Sequence, residues 1–343
     1  MRILIVYTGG TIGMIKDYHT GALRAFDFSK ISERIPELNQ LGCDIDTYSF
    51  EEVIDSSDVN LEDLIAVGEQ IYNNYDHYDG FVVLTGSDTM SYISSCISFM
   101  LENLQKPVVF TGSQLPIGDL RTDAKENLIT AIQVASAYRN NEPILKEVGL
   151  YFEYKLYRAN RTTKITAEHF EAFDSPNYPP LAESGVHLSF NDLLLHHPSY
   201  PERELILRRR LNNNVIILKL FPGLKPEYLS HILDLPNLQG VVLETFGAGN
   251  APSDKWFTSA LEEAIKRGVK IVNVTQCNSG SVIQGHYETS LALKNMGVIN
   301  GKDMTTEAAL AKLMYLLGAQ EELDDFSKVF ESSLRGELSD LKD

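Results

Sequence analysis

Four short apolar runs punctuate the first half of the chain: Ile3-Leu4-Ile5-Val6-Tyr7, Gly80-Phe81-Val82-Val83-Leu84, Pro107-Val108-Val109-Phe110 and Val148 to Phe152. Each is too short for a helix, and each is continuously apolar rather than alternating. That is the pattern of strands buried on both faces. Cys43 to Phe50 reads as a further strand. Between the runs the period lengthens. Behind Asn60, a residue suited to a helix N-cap, Leu61, Leu64, Ile65, Gly68 and Ile71 fall on one helical face. Helices are also predicted over Met90 to Leu104 and Asp123 to Tyr138, with a short one over Ser29 to Leu38. Strand alternating with helix predicts a parallel sheet covered by helices. Met14 to Arg24, with Asp17, Tyr18, His19, Thr20 and Gly21, has no period and reads as a mobile loop.

From Phe173 to Pro201 the pattern breaks, with five prolines and the pair His196-His197. Arg208-Arg209-Arg210 and Asn212-Asn213-Asn214 follow. This reads as an interdomain connection, its histidines as surface and its arginines as a solvated helix end. Alternation then resumes on a smaller scale. Strands are expected at Val215 to Leu220, Gly240 to Glu244 and Lys270 to Val274, and helices at Pro226 to Leu235, Asp254 to Lys266 and Thr306 to Leu317. The expected organisation is two α/β domains: a larger N-terminal parallel-sheet domain over 1–190, a linker over 191–213 and a smaller C-terminal domain over 214–343.

Composition narrows the picture. With 343 residues, 43% of them hydrophobic, the chain can bury more than one core. A formal net charge of -17 argues against nucleic acid or an anionic membrane surface as partner. The apolar runs are far too short for a transmembrane helix or a signal-peptide core, so a soluble, unexported protein is expected. Cys43, Cys96 and Cys277 are odd in number and far apart, which argues against a disulfide framework and for a reducing cytoplasm.

Candidate chemistry gathers where the strands end. After the first strand comes Thr8-Gly9-Gly10-Thr11-Ile12-Gly13, where paired glycines permit a tight turn and close backbone approach. Later strand ends deliver Ser56 and Ser57, Ser87 and Thr89, and Thr111 and Ser113, with Asp55 and Asp88 beside them. In a parallel sheet all these loops emerge at one edge, the default place for a site. Lys164 follows the strand ending at Phe152 and reaches the same edge if its loop folds back. A hydroxyl, a lysine able to take its proton and an aspartate to orient the lysine make a nucleophile, base and orienter. Each residue alone has an ordinary reading as a turn hydroxyl or surface ion pair; the convergence of the set carries the functional one.

Other chemistries fail on the residues. No Walker sequence cradles phosphates. Gly247-Ala248-Gly249 follows a strand, but Pro252 stands where a dinucleotide fingerprint needs its third glycine. There is no Gly-x-Ser-x-Gly elbow, and neither the histidines nor the cysteines have metal spacing. Thr11 is internal, which argues against an N-terminal-threonine hydrolase.

The residues resemble a known family, the bacterial type I, cytoplasmic L-asparaginases. The likeness runs from Tyr7 to about Leu317. It rests on Tyr7 to Met14, Ile54-Asp55-Ser56-Ser57-Asp58, Gly86-Ser87-Asp88-Thr89-Met90, Pro107 to Asn127, Asn160 to Lys164 and Gly249-Asn250-Ala251-Pro252. The resemblance implies two α/β domains assembled as homodimers or homotetramers, and an asparagine amidohydrolase needing no metal or organic cofactor. It implies Thr11 as nucleophile, with Ser87, Asp88 and Lys164 completing the catalytic group. Gly10, Asp55, Ser56 and Ser57, together with Ser87 and Asp88, would hold the substrate. Backbone N–H groups near Ser87 and the Thr11 loop are candidates for an oxyanion hole.

Departures from the family pattern set further expectations. Ser87 stands where threonine is usual, keeping the hydroxyl but losing the methyl that restricts χ1. Thr85 replaces a histidine, and Tyr18 is the tyrosine nearest the lid position at Ala22. Some cytoplasmic relatives bind a second, regulatory asparagine at positions matching Glu244, Thr275 and Cys277, with arginine where this chain has Glu244. An inverted charge there predicts hyperbolic kinetics. The competing functions are glutamine hydrolysis, ammonia delivery to tRNA-bound substrates, and an amino-acid-binding module without turnover. The tRNA-linked relatives carry an extra N-terminal domain, whereas strand one here begins at residue 2.

Overall fold

The computed structural model describes residues 1–16, 23–25, 31, 35–196, 203–285 and 288–339. The chain divides into two compact units, Met1–Arg209 and Arg210–Asp343. Tyr18 and five of the ten residues of the short helix read over Ser29 to Leu38 lie outside the described residues; Pro36–Gln40 is a 3-10 helix.

In the first unit the apolar runs form β1 (Arg2–Tyr7), β3 (Gly80–Leu84), β4 (Val108–Thr111) and β5 (Val148–Phe152), with β2 (Asp44–Ser49) beside β1. These five pair in parallel in the order β2-β1-β3-β4-β5. Both faces are covered. Ile3, Ile5 and Tyr7 pack with Ala124, Leu128 and Ala131, while Leu4 and Val6 on the opposite face are equally buried. The chain leaves β1 toward β2 on one side and returns to β3 on the other. The order therefore reverses between β1 and β3, and the crevice at that reversal is where open α/β sheets bind ligands.

Helices link the strands. α1 (Leu61–Asn73) begins in a capping box in which the Asn60 side chain accepts from Asp63 N–H and the Asp63 side chain accepts from Asn60 N–H. Two of the four orphan donors at a helix start are thus satisfied. α2 (Met90–Met100) and α3 (Ala124–Ala135) are buried along most of their length. α2 is shorter than its apolar pattern suggests, because Leu101–Glu102 peels off to pair with Ile206–Leu207.

The sheet also has an antiparallel side that the hydrophobic pattern did not announce. β6 (Lys155–Arg158) returns against β5, and β7 (Ala182–Ser184) and β8 (Leu188–Phe190) extend it to eight strands. The last two come from the proline-rich stretch that reads as a connection. They are three-residue strands, too short to show a period.

The second unit holds a parallel four-stranded sheet: β9 (Val215–Lys219), β10 (Gly240–Thr245), β11 (Lys270–Thr275) and β12 (Ile299–Asn300). Its helices are α4 (Pro226–Leu233), α5 (Lys255–Lys266), α6 (Glu288–Asn295), α7 (Thr306–Gly318) and α8 (Phe326–Phe330). Among the described residues no helix is long and apolar enough to cross a membrane.

Candidate functional site

The loops leaving β1, β2 and β3 meet at the point where the strand order reverses, and glycine is what lets them meet. Gly10 has φ 89°, and a Cβ there would lie 2.4 Å from Gly86 N. A Cβ on Gly86 would in turn lie 2.4 Å from Ser56 Oγ. Any larger residue at either position would force the loops apart. Hydrogen bonds stitch the same junction: Thr8 N–H and its hydroxyl both donate to Leu84 O at 3.0 Å, Ile54 N–H donates to Thr8 O at 2.8 Å, and the Thr89 hydroxyl donates to Ser56 O at 2.7 Å.

Thr11 opens a single 3-10 turn, Thr11–Gly13, directly after Gly10. Its side chain is partly exposed and has no hydrogen-bond partner among the described residues. Asp55, Ser56 and Ser57 lie on the β2 loop. The Ser57 N–H and hydroxyl both donate to Asp55 Oδ1, at 2.9 and 2.8 Å, and hold that carboxyl below its ordinary range. Ser56 is buried; Asp55 and Ser57 are exposed.

Ser87, Asp88 and Lys164 are in direct contact. Lys164 Nζ donates to Ser87 Oγ at 2.9 Å and to Asp88 Oδ1 at 2.7 Å. The lysine reaches them from a segment strapped to the body of the unit. Thr163 and Lys164 pair antiparallel with Asp174 and Phe173. Just upstream, the Thr162 hydroxyl donates to Ala159 O at 2.7 Å and Asn160 Nδ2 donates to Ser98 Oγ at 3.2 Å. Arg158 forms a buried ion pair with Glu147, and its guanidinium lies 4.6 Å from the Tyr178 ring centroid. A long, flexible side chain is thus delivered from a rigid base. Its ammonium is largely covered, with 17% side-chain exposure, while the Asp88 carboxylate stays open at 69%.

One contact in this group did not emerge from the sequence. Ser87 Oγ donates to Gln114 Oε1 at 3.2 Å. A signal for it exists: Thr85-Gly86-Ser87-Asp88 and Thr111-Gly112-Ser113-Gln114 repeat one tetrapeptide pattern at the ends of the adjacent strands β3 and β4. His196, read as surface, donates its backbone N–H to Glu147 Oε1 at 2.7 Å; His197 lies outside the described residues. A groove of about 450 Å³ in the second unit, lined by Gln284, Lys294, Lys302, Ser327 and Glu331 among others, contains none of these residues.

Chemically, the cluster offers a hydroxyl on an exposed turn, a lysine bridging a second hydroxyl and a carboxylate, and an anionic carboxyl on the facing loop. Known proteins resemble this chain along nearly its whole length. Residues 2–194 match the N-terminal asparaginase family model, and residues 214–330 match the glutaminase/asparaginase C-terminal domain. The chain belongs to the asparaginase family. It is 42% identical to L-asparaginase 1 of Escherichia coli K12 over 340 residues, covering 98% of each chain. The solved structure of L-asparaginase I from Vibrio cholerae superposes with a TM-score of 0.88 at 39% identity, covering 98% of this chain and 99% of that one. The thermostable L-asparaginase of Thermococcus kodakarensis gives 0.88 at 33% identity, covering 99% of both.

Proposed function

We propose that this asparaginase-family protein hydrolyses L-asparagine to aspartate and ammonia through an acyl-enzyme on Thr11. The observation that carries the reading is the Lys164 bridge to Ser87 and Asp88, beside the glycine junction that seats Thr11 at the sheet's reversal point. An amide is a poor electrophile and a threonine hydroxyl a poor nucleophile, so three tasks must be met. The Thr11 oxygen attacks the carboxamide carbon and gives up its proton to the Ser87–Lys164 pair. Backbone N–H groups of the Thr11 and Ser87 loops stabilise the oxyanion. The departing nitrogen collects a proton and leaves as ammonia. Water then attacks the aspartyl ester and restores the Thr11 hydroxyl. Asp88 holds the lysine in place.

Asp55, Ser56, Ser57 and Gly10 grip the amino-acid end of the substrate. The Asp55 carboxylate, kept ionised by Ser57, is the partner for the α-ammonium group. A pocket that fixes one amide carbon against Thr11 misplaces a side chain one methylene longer, so asparagine is preferred over glutamine. The enzyme works in the cytoplasm as a homo-oligomer, consistent with its three free thiols.

Ammonia release from asparagine and glutamine by purified protein, alongside Thr11→Ala, tests the reading. Asparagine turnover that vanishes in the mutant, with aspartate still bound, is expected. Substantial residual hydrolysis removes Thr11 as nucleophile. Equal kcat/KM for the two amides overturns the specificity, and no turnover of either leaves an amino-acid-binding module.

A further inference from the structure

Serine is a poorly determined hydroxyl. Nothing on its Cβ excludes any of the three staggered wells of χ1, so in a loop its oxygen wanders unless something holds it. Ser87 is held from two sides, and the identities of the partners fix where its proton lies. Gln114 Nε2 donates to the backbone carbonyl of His169 at 3.1 Å. A carbonyl can only accept, so the amide nitrogen must face His169 and the amide oxygen must face Ser87. Ser87 is therefore the donor in its 3.2 Å bond to Gln114 Oε1, and its lone pairs are turned to the Lys164 nitrogen at 2.9 Å.

The glutamine is itself built in. Its backbone N–H and that of Leu115 donate to the two carboxylate oxygens of Asp123, at 2.8 and 3.1 Å. Asp123 is buried, 4% exposed, and also accepts from Asn127 Nδ2, which in turn donates to Gly112 O in the same loop. Side chain and main chain of Gln114 are thus both anchored before Ser87 is reached. A carboxylate this deep, spent on two N–H groups of one loop, fixes a position and not merely a fold.

We propose that Gln114 is a positioning residue for the acyl-transfer reaction: it holds the Ser87 hydroxyl in the rotamer that presents its lone pairs to Lys164, doing by hydrogen bonding what a γ-methyl does by steric exclusion. The proposal rests on the reading of Ser87 and Lys164 given above. Gln114 moves no proton and touches no reacting atom. Its effect falls on kcat, because a misplaced hydroxyl spoils the reactive geometry without weakening the grip of the β2 loop on substrate.

The experiment is a rescue. Gln114→Ala, and Gln114→Leu to preserve bulk, lower kcat by about tenfold or more, the scale of small misplacements at a reacting centre, while KM stays near the wild-type value. Adding Ser87→Thr restores most of the lost kcat, because a β-branched side chain restricts χ1 unaided. Ser87→Thr alone supplies the reference rate against which the double variant is read. An unaltered kcat in both glutamine variants, a loss that threonine does not relieve, or a rise in KM with kcat intact would each overturn the proposal; the last would make Gln114 a substrate contact. Crystal structures of the same variants give a readout independent of turnover. They should show one Ser87 rotamer in the wild type, several in Gln114→Ala and one again in the double variant. If wild-type protein fails to hydrolyse asparagine, the functional reading falls while these rotamers still decide the role of Gln114.

Discussion

Lys164 and Lys312 each donate to a carboxylate at close range, one at the sheet edge of the first unit, the other inside the second. Lys164 meets Asp88 with 17% and 69% of the two side chains exposed, and shares its remaining contact with a hydroxyl. Lys312 meets Glu337 with neither side chain exposed. The second pair has further partners within the core. Lys312 Nζ also donates to Ser332 O at 2.5 Å, and Glu337 accepts from the backbone N–H groups of Leu334 and Arg335. Burial opposes the charge on Glu337, but the ammonium and those N–H groups outweigh it and hold the carboxyl below its ordinary range. The two pairs contain the same functional groups, and what separates them is the partner list. A lysine held by a carbonyl and a carboxylate inside a closed core can only hold the C-terminal segment against α7. A lysine tied to a hydroxyl at the sheet edge and to an open carboxylate has somewhere to send a proton.

Exchanging the lysines for methionine breaks the comparison most sharply. Lys164→Met should lower kcat by roughly 10²–10⁴, the usual worth of a positioned acid–base group. Its melting temperature should stay near that of the wild type, since partly exposed pairs contribute only about 0–1 kcal/mol. Lys312→Met should do the reverse, leaving kcat per folded molecule unchanged while the melting point falls. Steady-state kinetics and thermal unfolding on both variants decide it. Near-normal kcat in Lys164→Met would make it a second structural lysine.

Glu337→Ala isolates the structural pair. Removing one member leaves a buried ammonium without a counterion, which costs about 3–5 kcal/mol. The sign with pH follows from the lowered carboxyl. Its stabilisation is present above the ordinary value of 4.5 and is lost as pH falls through the lower folded value. Denaturant midpoints of the wild type should therefore drop on acidification, and those of Glu337→Ala should drop less.

How much of this was legible beforehand differs between the two pairs. The parallel core of the first unit was readable because strands buried on both faces leave continuous apolar runs, and β3, β4 and β5 end within a residue of where those runs end. The positions of Thr11, Asp55, Ser87, Asp88 and Lys164 followed from their places after those runs. Gln114 is not legible in the sequence because its role depends on a backbone carbonyl 55 residues away, at His169, which no local pattern records. β7, β8 and the Lys312–Glu337 pair were hidden for a related reason. Three-residue strands have no period, and a lysine on an otherwise apolar helix face looks like a solvated position until the tail carrying Glu337 is folded over it.

A carboxyl with no lysine extends the comparison. Glu153 sits in the tight turn between β5 and β6, at φ 41°, with the Asn127 side chain accepting from its N–H. Burial, and then the carboxylates of Asp123, Glu126 and Glu171, push it up to about 7 from an ordinary 4.5. A raised carboxyl favours the folded state at low pH. That contribution is fully present below 4.5 and is lost as pH rises through about 7. Glu153→Gln should therefore raise the melting temperature by a few degrees at pH 8 and change it little at pH 4. An equal shift at both values would show that Glu153 is already ionised throughout.

The smallest expected effect belongs to a third pair, Lys219 and Glu244, which face each other in register on β9 and β10. The resemblance to cytoplasmic asparaginases puts Glu244, Thr275 and Cys277 where some relatives bind a regulatory asparagine. Here those groups are engaged with one another and with the main chain. Glu244 Oε1 accepts from the Thr306 hydroxyl at 2.6 Å, and Oε2 lies 3.5 Å from Lys219 Nζ. The Thr275 hydroxyl donates to Gly247 O at 2.6 Å and accepts from Cys277 N–H at 3.0 Å. An incoming α-carboxylate would meet an anion, and the nearest cation is already paired with it. That cation is Lys219; Lys255, the other basic residue within sequence reach, makes no ion pair with Glu244 among the described residues. With Glu244 at the site and Lys219 paired to it, asparagine meets no favourable carboxylate partner, there is nothing for an effector to select, and the rate curve should be hyperbolic with a Hill coefficient of about 1. Lys219 is held only loosely, because its side chain is 63% exposed and such a pair is worth only about 0–1 kcal/mol. If it swings from Glu244 to a bound asparagine, the wild-type curve turns sigmoidal and Lys219→Ala makes it hyperbolic again. If Glu244 keeps the site closed, both proteins give the same hyperbola, and their melting points differ by no more than the worth of one exposed pair.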